Sequence, residues 1–269
     1  MGAKNAGGTM GGALRVILVS HAASFTVLVA IASLRGDSFP HGAPLAWGIG
    51  AGVAGGISLA CFYVALSRGA MGASAALSGL LAAAIPAAVS VAAEGSPGAL
   101  RVFGFLVAGA AIWLIAAGAN AEAVPARAGT IWLAVAAGIG FGIYFVALKM
   151  AGVAGVVWPM ATARIGSLSV CSLMLLGLSI RSETAELARG KLTRTAVRWA
   201  LTTALLDTSG NLLFIAATRA GRLDVAAVLA SLYPASTILL AAWMLGERPT
   251  RRQGLGMAVA AAAVVMITL

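Results

Sequence analysis

Along most of this chain, runs of some twenty almost uncharged residues alternate with short knots of charge. The stretch "MLGERPTRRQGLG" (residues 244–256) is one such knot: Glu247, Arg248, Arg251 and Arg252 fall within six positions, with Pro249 among them, and the flanks are apolar. An α-helix needs about twenty apolar residues to cross the hydrocarbon of a bilayer. In lipid the backbone amides have no water to bond, and a helix satisfies them internally. The composition agrees. Of 269 residues, 61% are hydrophobic and 10% charged, against roughly a quarter charged in a soluble domain. The mean hydropathy is +0.99. The apolar stretches are too many for a signal peptide or a single anchor. The expected fold class is an all-α membrane protein with about nine transmembrane helices.

The nine spans are expected at 12–34, 44–67, 71–93, 98–118, 129–149, 155–180, 196–218, 223–245 and 251–269. The longest connection, 181–198, carries five Lys/Arg and two Glu and reads as a short amphipathic piece at the interface. The opening knot is a tight turn between the last two spans. Gly246 suits a left-handed helix end, and Thr250 and Gln253 have the spacing of a capping box. The net charge of +10 fits Lys and Arg that flank membrane helices and meet anionic head groups. Basic runs with interleaved aromatics are missing, so nucleic acid is not an expected partner. Cys61 and Cys171 fall inside apolar stretches and read as packing residues.

The chain repeats itself. "ALSRGAMGASAALSGLLAAAIPAAVSVAAEGSPGALRVFGFLVAGAAIWLIA" begins at Ala65, and "AATRAGRLDVAAVLASLYPASTILLAAWMLGERPTRRQGLGMAVAAAAVVMI" begins at Ala216. Each has an Arg, an apolar helix containing Pro, an acid-and-Gly turn, a Pro and a final apolar helix. Further up, 13–31 resembles 161–179 and aligns Arg15 with Arg164. Five spans separate a segment from its copy. Five is odd, so the copies enter the membrane in opposite orientations, the construction of many secondary transporters. The expected division is a first repeat over 1–120 with four helices and a second over 127–269 with five. The first repeat has only "MGAKNAGGTMGG" ahead of its Arg15 helix. Nine helices then look like ten without the first, through a start upstream or a shortened form. Outside the helices, one side carries eleven Lys/Arg and the other five. The positive-inside rule puts the N-terminus and the 181–198 loop in the cytoplasm.

The stretch "AAVLASLYPASTILLAAWMLGERPTRRQGLGMAVAAAAVVMI" resembles the end of an EamA-type domain of the drug/metabolite transporter superfamily. "GFGIYFVALKMAG", "WPMATAR" and "LDTSGNLLFIAATRAG" resemble its preceding parts. The first half is similar more weakly, with Glu94 in "AEGSPGALRVFG" but not the Gly-Glu-Arg order of Glu247. The resemblance implies ten helices in two inverted five-helix repeats and transport of small metabolites, commonly export. It also implies both termini in the cytoplasm, which the charge count contradicts.

A polar group at bilayer depth is costly, so such residues are functional candidates. Asp207 lies midway along its span and reads as the only acid deep in any span, with Asn211 on the same helical face. The pair is a candidate substrate or proton site at the repeat interface, or a hydrogen bond that fixes helix packing. Arg164 has three readings: an ion pair with Asp207, a fork for a substrate carboxylate, or a side chain snorkelling to head groups. Arg15 reads as interfacial. Tyr63, Tyr144 and Trp158 suit the aromatic belt, while Tyr233 beside Pro234 is a candidate for the substrate pathway. Pro86 and Pro234 each free a backbone carbonyl, which lines a cavity or only kinks a helix. Gly48, Gly52 and Gly56, like Gly138 and Gly142, have the spacing of close helix packing. His21 reads as a packing hydrogen bond.

The sequence holds no metalloprotease, P-loop or metal-ligand motif, so no enzyme activity, metal or cofactor is expected. The expected function is a secondary transporter that exports a small metabolite or drug-like molecule by alternating access. Its partners are a small-molecule substrate and the lipid bilayer, its site a bacterial inner membrane, and a homo-oligomer is compatible with the sequence. The alternative is a non-transporting scaffold or sensor, or an inactive truncated transporter.

Overall fold

A computed structural model describes residues 10–68, 71–118, 128–180, 193–232 and 249–269, with the single positions 235, 239 and 243. These residues form helices joined by short turns. In chain order they are α1 (Met10–Arg35), α2 (Ala43–Ser67), α3 (Met71–Glu94), α4 (Ala99–Gly118), α5 (Ala128–Ala151), α6 (Val157–Ile180), α7 (Arg194–Ala220), α8 (Leu223–Ser231) and α9 (Arg251–Thr268). A single 3₁₀ turn, Gly152–Ala154, links α5 to α6.

Among the described residues, α1 to α7 are long and apolar enough to cross a membrane. Their ends fall within about two residues of the expected spans. The expected span 223–245 is described as a continuous helix only over Leu223–Ser231. The last helix begins with Arg251 and Arg252 and is not among the seven. The expected interfacial piece at 181–198, up to residue 192, lies outside the described residues, as do Gly246 and Glu247.

Local signals explain several helix ends. The α9 capping box forms in both directions: the Gln253 N–H donates to Thr250 Oγ1 at 3.2 Å, and the Thr250 N–H donates to Gln253 Oε1 at 2.8 Å. Helix α1 stops at Gly36, whose φ is 69°. The Gly36 N–H donates to the Ser33 carbonyl and the Asp37 N–H to the Ala32 carbonyl, the paired bonds that close a helix on a left-handed residue.

The helices pack in two compact units. The first runs to Tyr63 and resumes over Val146–Arg219; the second comprises Val64–Phe145 and Ala220–Leu269. Each unit therefore draws helices from both halves of the sequence.

In the first unit, α1 and α6 run antiparallel. Leu14 and Ile17 pack with Cys171 at one end, His21 meets Ser167 midway, and the Trp158 indole N–H donates to the Asp37 carbonyl at the other end. Helix α2 lies parallel to α6 on a glycine stripe. A Cβ on Gly48 would collide with Thr162, one on Gly52 would overlap the Ala163 carbonyl oxygen, and one on Gly56 would press on Ser167. The stripe thus does what its spacing suggests, bringing two backbones together in lipid, where contact must come from packing.

In the second unit, α4 and α9 are antiparallel, with Gly104 against Ile267 and Gly256 against Ile115. Helices α3 and α8 also pack, through Ala83, Val228 and Leu232. Gly138 and Gly142 of α5 sit on Ser78, Leu81 and Ile85 of α3. The buried hydrophobic residues are mostly alanines, while Leu34, Leu106, Trp132 and Leu213 are well exposed. Small inside and large outside is the reverse of a soluble core, and it suits a chain whose exterior meets acyl chains. Several buried serines bond within their own helix, as Ser58 does on the Ala54 carbonyl at 2.6 Å and Ser78 on the Ser74 carbonyl at 2.8 Å.

Candidate functional site

Asp207 is the central residue of the 27-residue α7, so it lies roughly 20 Å from either end at 1.5 Å per residue. Residues Ala196, Ala200, Ala204, Thr208, Phe214, Ile215 and Thr218 are the buried face of that helix. Asp207 and Asn211 fall within the same arc, yet neither is buried. The Asp207 side chain keeps 39% of its exposure, whereas that of Arg164 keeps 5%. The packed stripe of α7 is therefore interrupted by an open step at mid-depth, and the step is polar.

Arg164 comes to this step from α6. Its guanidinium Nη2 donates to Asp207 Oδ2 in an ion pair and to Thr208 Oγ1 at 3.2 Å. Its Nε is buried with no hydrogen-bond partner among the described residues. Asn211 Nδ2 donates to Asp207 Oδ1 at 3.1 Å and to the Asp207 carbonyl at 2.8 Å. The Asn211 amide oxygen takes no bond from any described residue. Of the three readings of Arg164, snorkelling fails: the side chain is buried and turned to the acid.

Behind Arg164 stands a second row of polar groups. Ser167 Oγ donates to the Arg164 carbonyl at 3.2 Å and lies 2.8 Å from His21 Nδ1. His21 is thus the packing hydrogen bond its isolation suggested, but it packs onto the site. The arrangement can hold a buried cation against a half-open carboxylate and still offer an accepting face at Asp207 and Asn211.

Of the remaining candidates, Arg15 and Pro86 are described on other helices, α1 and α3. Arg15 Nε donates to the Gly11 carbonyl in its own helix at 3.2 Å. Pro86 is fully buried inside α3. Tyr233, Pro234 and Glu247 lie outside the described residues.

Glu94 belongs to a different knot, in the second unit. Arg222 donates through Nη2 to Asp224 Oδ2 at 2.9 Å and to the Gly95 carbonyl at 2.7 Å, through Nε to Asp224 Oδ1 at 3.1 Å, and stands 4.0 Å from Glu94. Hydrogen bonding to Asp224 raises the Arg222 pKa above the ordinary arginine value; burial opposes this, and the charges of Asp224 and Glu94 add to it. The Asp224 side chain is wholly buried. Asp224 is thus a buried acid in the first turn of its helix, which the sequence reading did not single out. The signal was there: an Arg and an Asp two positions apart open the span, and a buried helix start needs such an acceptor near its free N–H groups. Thr208 and Ser167 were also missed, since hydroxyls are common in membrane helices and usually bond their own backbone.

A model of the EamA-like transporter family matches residues 128–269, more than half of the chain. A solved crystal structure superposes on 99% of this chain and 90% of its own with a TM-score of 0.68 at 16% sequence identity. At that identity the likeness concerns the fold alone. No curated protein matches the chain.

Proposed function

The chain belongs to the EamA-like transporter family and is a multi-pass membrane transporter of the drug/metabolite type; on that premise we propose that it carries a small metabolite or drug-like molecule by alternating access, with Asp207, Asn211 and Arg164 as its substrate contacts. The observation that carries this reading is the open polar step in the buried face of α7. A carboxylate used only to neutralise Arg164 would be expected to close over it, because half-exposure weakens an ion pair. A carboxylate that must exchange partners has to remain reachable.

The duplication supports the mechanism. Helices α1 and α6 correspond in the repeat, as do α3 and α8, and α4 and α9. The antiparallel packing of α1 on α6 and of α4 on α9 is what oppositely inserted copies require. The repeats are proposed as 1–120 and 127–269, the cell membrane as the location, and an ion or substrate gradient as the driving force.

The test is uptake into proteoliposomes of the purified chain, with a metabolite panel screened beforehand by thermal shift, since a ligand of the folded state raises its midpoint. Asp207→Asn should abolish transport of the hit and weaken its binding. Unchanged transport would remove Asp207 from the pathway. Failure of every panel member to bind or move, in protein shown to be folded, would favour a scaffold.

A further inference from the structure

A cavity lies in the first unit, and Asp207 is not among the residues that line it. It occupies about 590 Å3 where α1 and α7 end and α6 begins. Arg35 and Arg219 line it from the two helix ends, Asp37 from the turn after α1, Trp158 from the first turn of α6, and Ile31 and Leu212 from one to two turns back along α1 and α7.

The charge is unbalanced. Arg35 Nε pairs with Asp37 at 3.2 Å. Arg219 Nη1 donates to the Gly152 carbonyl and forms no ion pair among the described residues. Two arginines against one aspartate leave the rim one positive charge in excess. A basic residue in the last turn also offsets the negative end of its helix, and that accounts for each arginine taken alone. It does not account for two of them lining one hollow with an apolar wall.

We infer that this cavity binds the anionic head of an amphiphile, a phosphate being the best match, with the apolar part of the ligand on Ile31 and Leu212. Arg219 supplies a forked donor suited to phosphate oxygens. Trp158 is held in place by its bond to Asp37, so the wall is formed before a ligand arrives. The polar rim lies at a span end and the apolar wall towards its middle, the order in which an amphiphile sits in a bilayer. A membrane phospholipid and a soluble amphiphilic anion share this chemistry.

The experiment uses the full chain in a non-ionic detergent, titrated with decyl phosphate, inorganic phosphate and decyltrimethylammonium, and read by the unfolding midpoint. Decyl phosphate should raise the midpoint saturably, and the other two should not. Arg219→Gln should weaken the apparent affinity about tenfold, the loss of roughly one charge-assisted bond. Should that variant fold poorly, Ser38→Glu, an exposed change at the rim, should weaken it through repulsion. Arg101→Gln, in the other unit, should bind as the unaltered protein does. In nanodiscs, competition from phosphatidylglycerol assigns the site to lipid, and its absence to a soluble amphiphile. Equal shifts from decyl phosphate and decyltrimethylammonium would overturn the inference. So would inorganic phosphate binding as tightly as decyl phosphate, or an affinity untouched by both Arg219→Gln and Ser38→Glu.

Discussion

Replacing Asp207 by Asn tests the ion pair at the centre of α7. The change keeps the shape and leaves an acceptor for Asn211, but it strands the Arg164 charge. The Arg164 side chain is 5% exposed, its Nε has no partner among the described residues, and among them Thr208 Oγ1 at 3.2 Å would be its remaining side-chain hydrogen bond. Removing one partner of a fully buried pair costs about 3–5 kcal/mol. Here the acid is 39% exposed, so screening lowers the expected cost to roughly 1–3 kcal/mol. At about 2–4 °C per kcal/mol for a chain of this size, the midpoint should fall by several degrees. Arg164→Gln alone removes the buried charge and leaves a reachable carboxylate, so it should cost less. The decisive variant is the double one. With Gln at 164, Asp207→Asn should cost almost nothing, and the cycle should return a coupling above about 1 kcal/mol. Unfolding midpoints of the four proteins in one detergent provide the measurement. Additive effects, within about 0.5 kcal/mol, would refute the claim that Arg164 is held by Asp207.

Gly52→Ala should separate α2 from α6 and cost about 1–3 kcal/mol by overpacking, whereas Gly50→Ala, whose Cβ would meet nothing within 4 Å, should be neutral or stabilising by up to about 1 kcal/mol; paired midpoints distinguish them. Thr250→Ala should lower stability by about 0.5–2 kcal/mol through loss of the cap, and hydrogen exchange should rise in the first turn of α9 alone. Asp224→Asn should lower the midpoint more than Glu94→Gln, because the Asp224 carboxylate is wholly buried on Arg222 and that of Glu94 is a quarter exposed at 4.0 Å; an equal or reversed order would mean that Arg222 is held mainly by Glu94 and the Gly95 carbonyl.

The sequence alone determined where this chain meets lipid. Hydrophobic length is a local property, so α1 to α7 could be read as contiguous runs. The α9 cap was equally legible, because Thr250 and Gln253 lie within one turn. Glycines at four-residue spacing announced a close approach but not its partner. Only the tertiary structure decided which faces meet. These helices are apolar on every side, so no amphipathic stripe points to an interior. That Arg164 reaches Asp207, 43 positions away, is a contact between α6 and α7 that no local pattern announces. That Asp224 disappears beneath Arg222 follows from α8 starting where α3 ends. In water the cost of exposing apolar surface would have written both contacts into the pattern. In lipid that cost is absent, and packing geometry alone selects the neighbours.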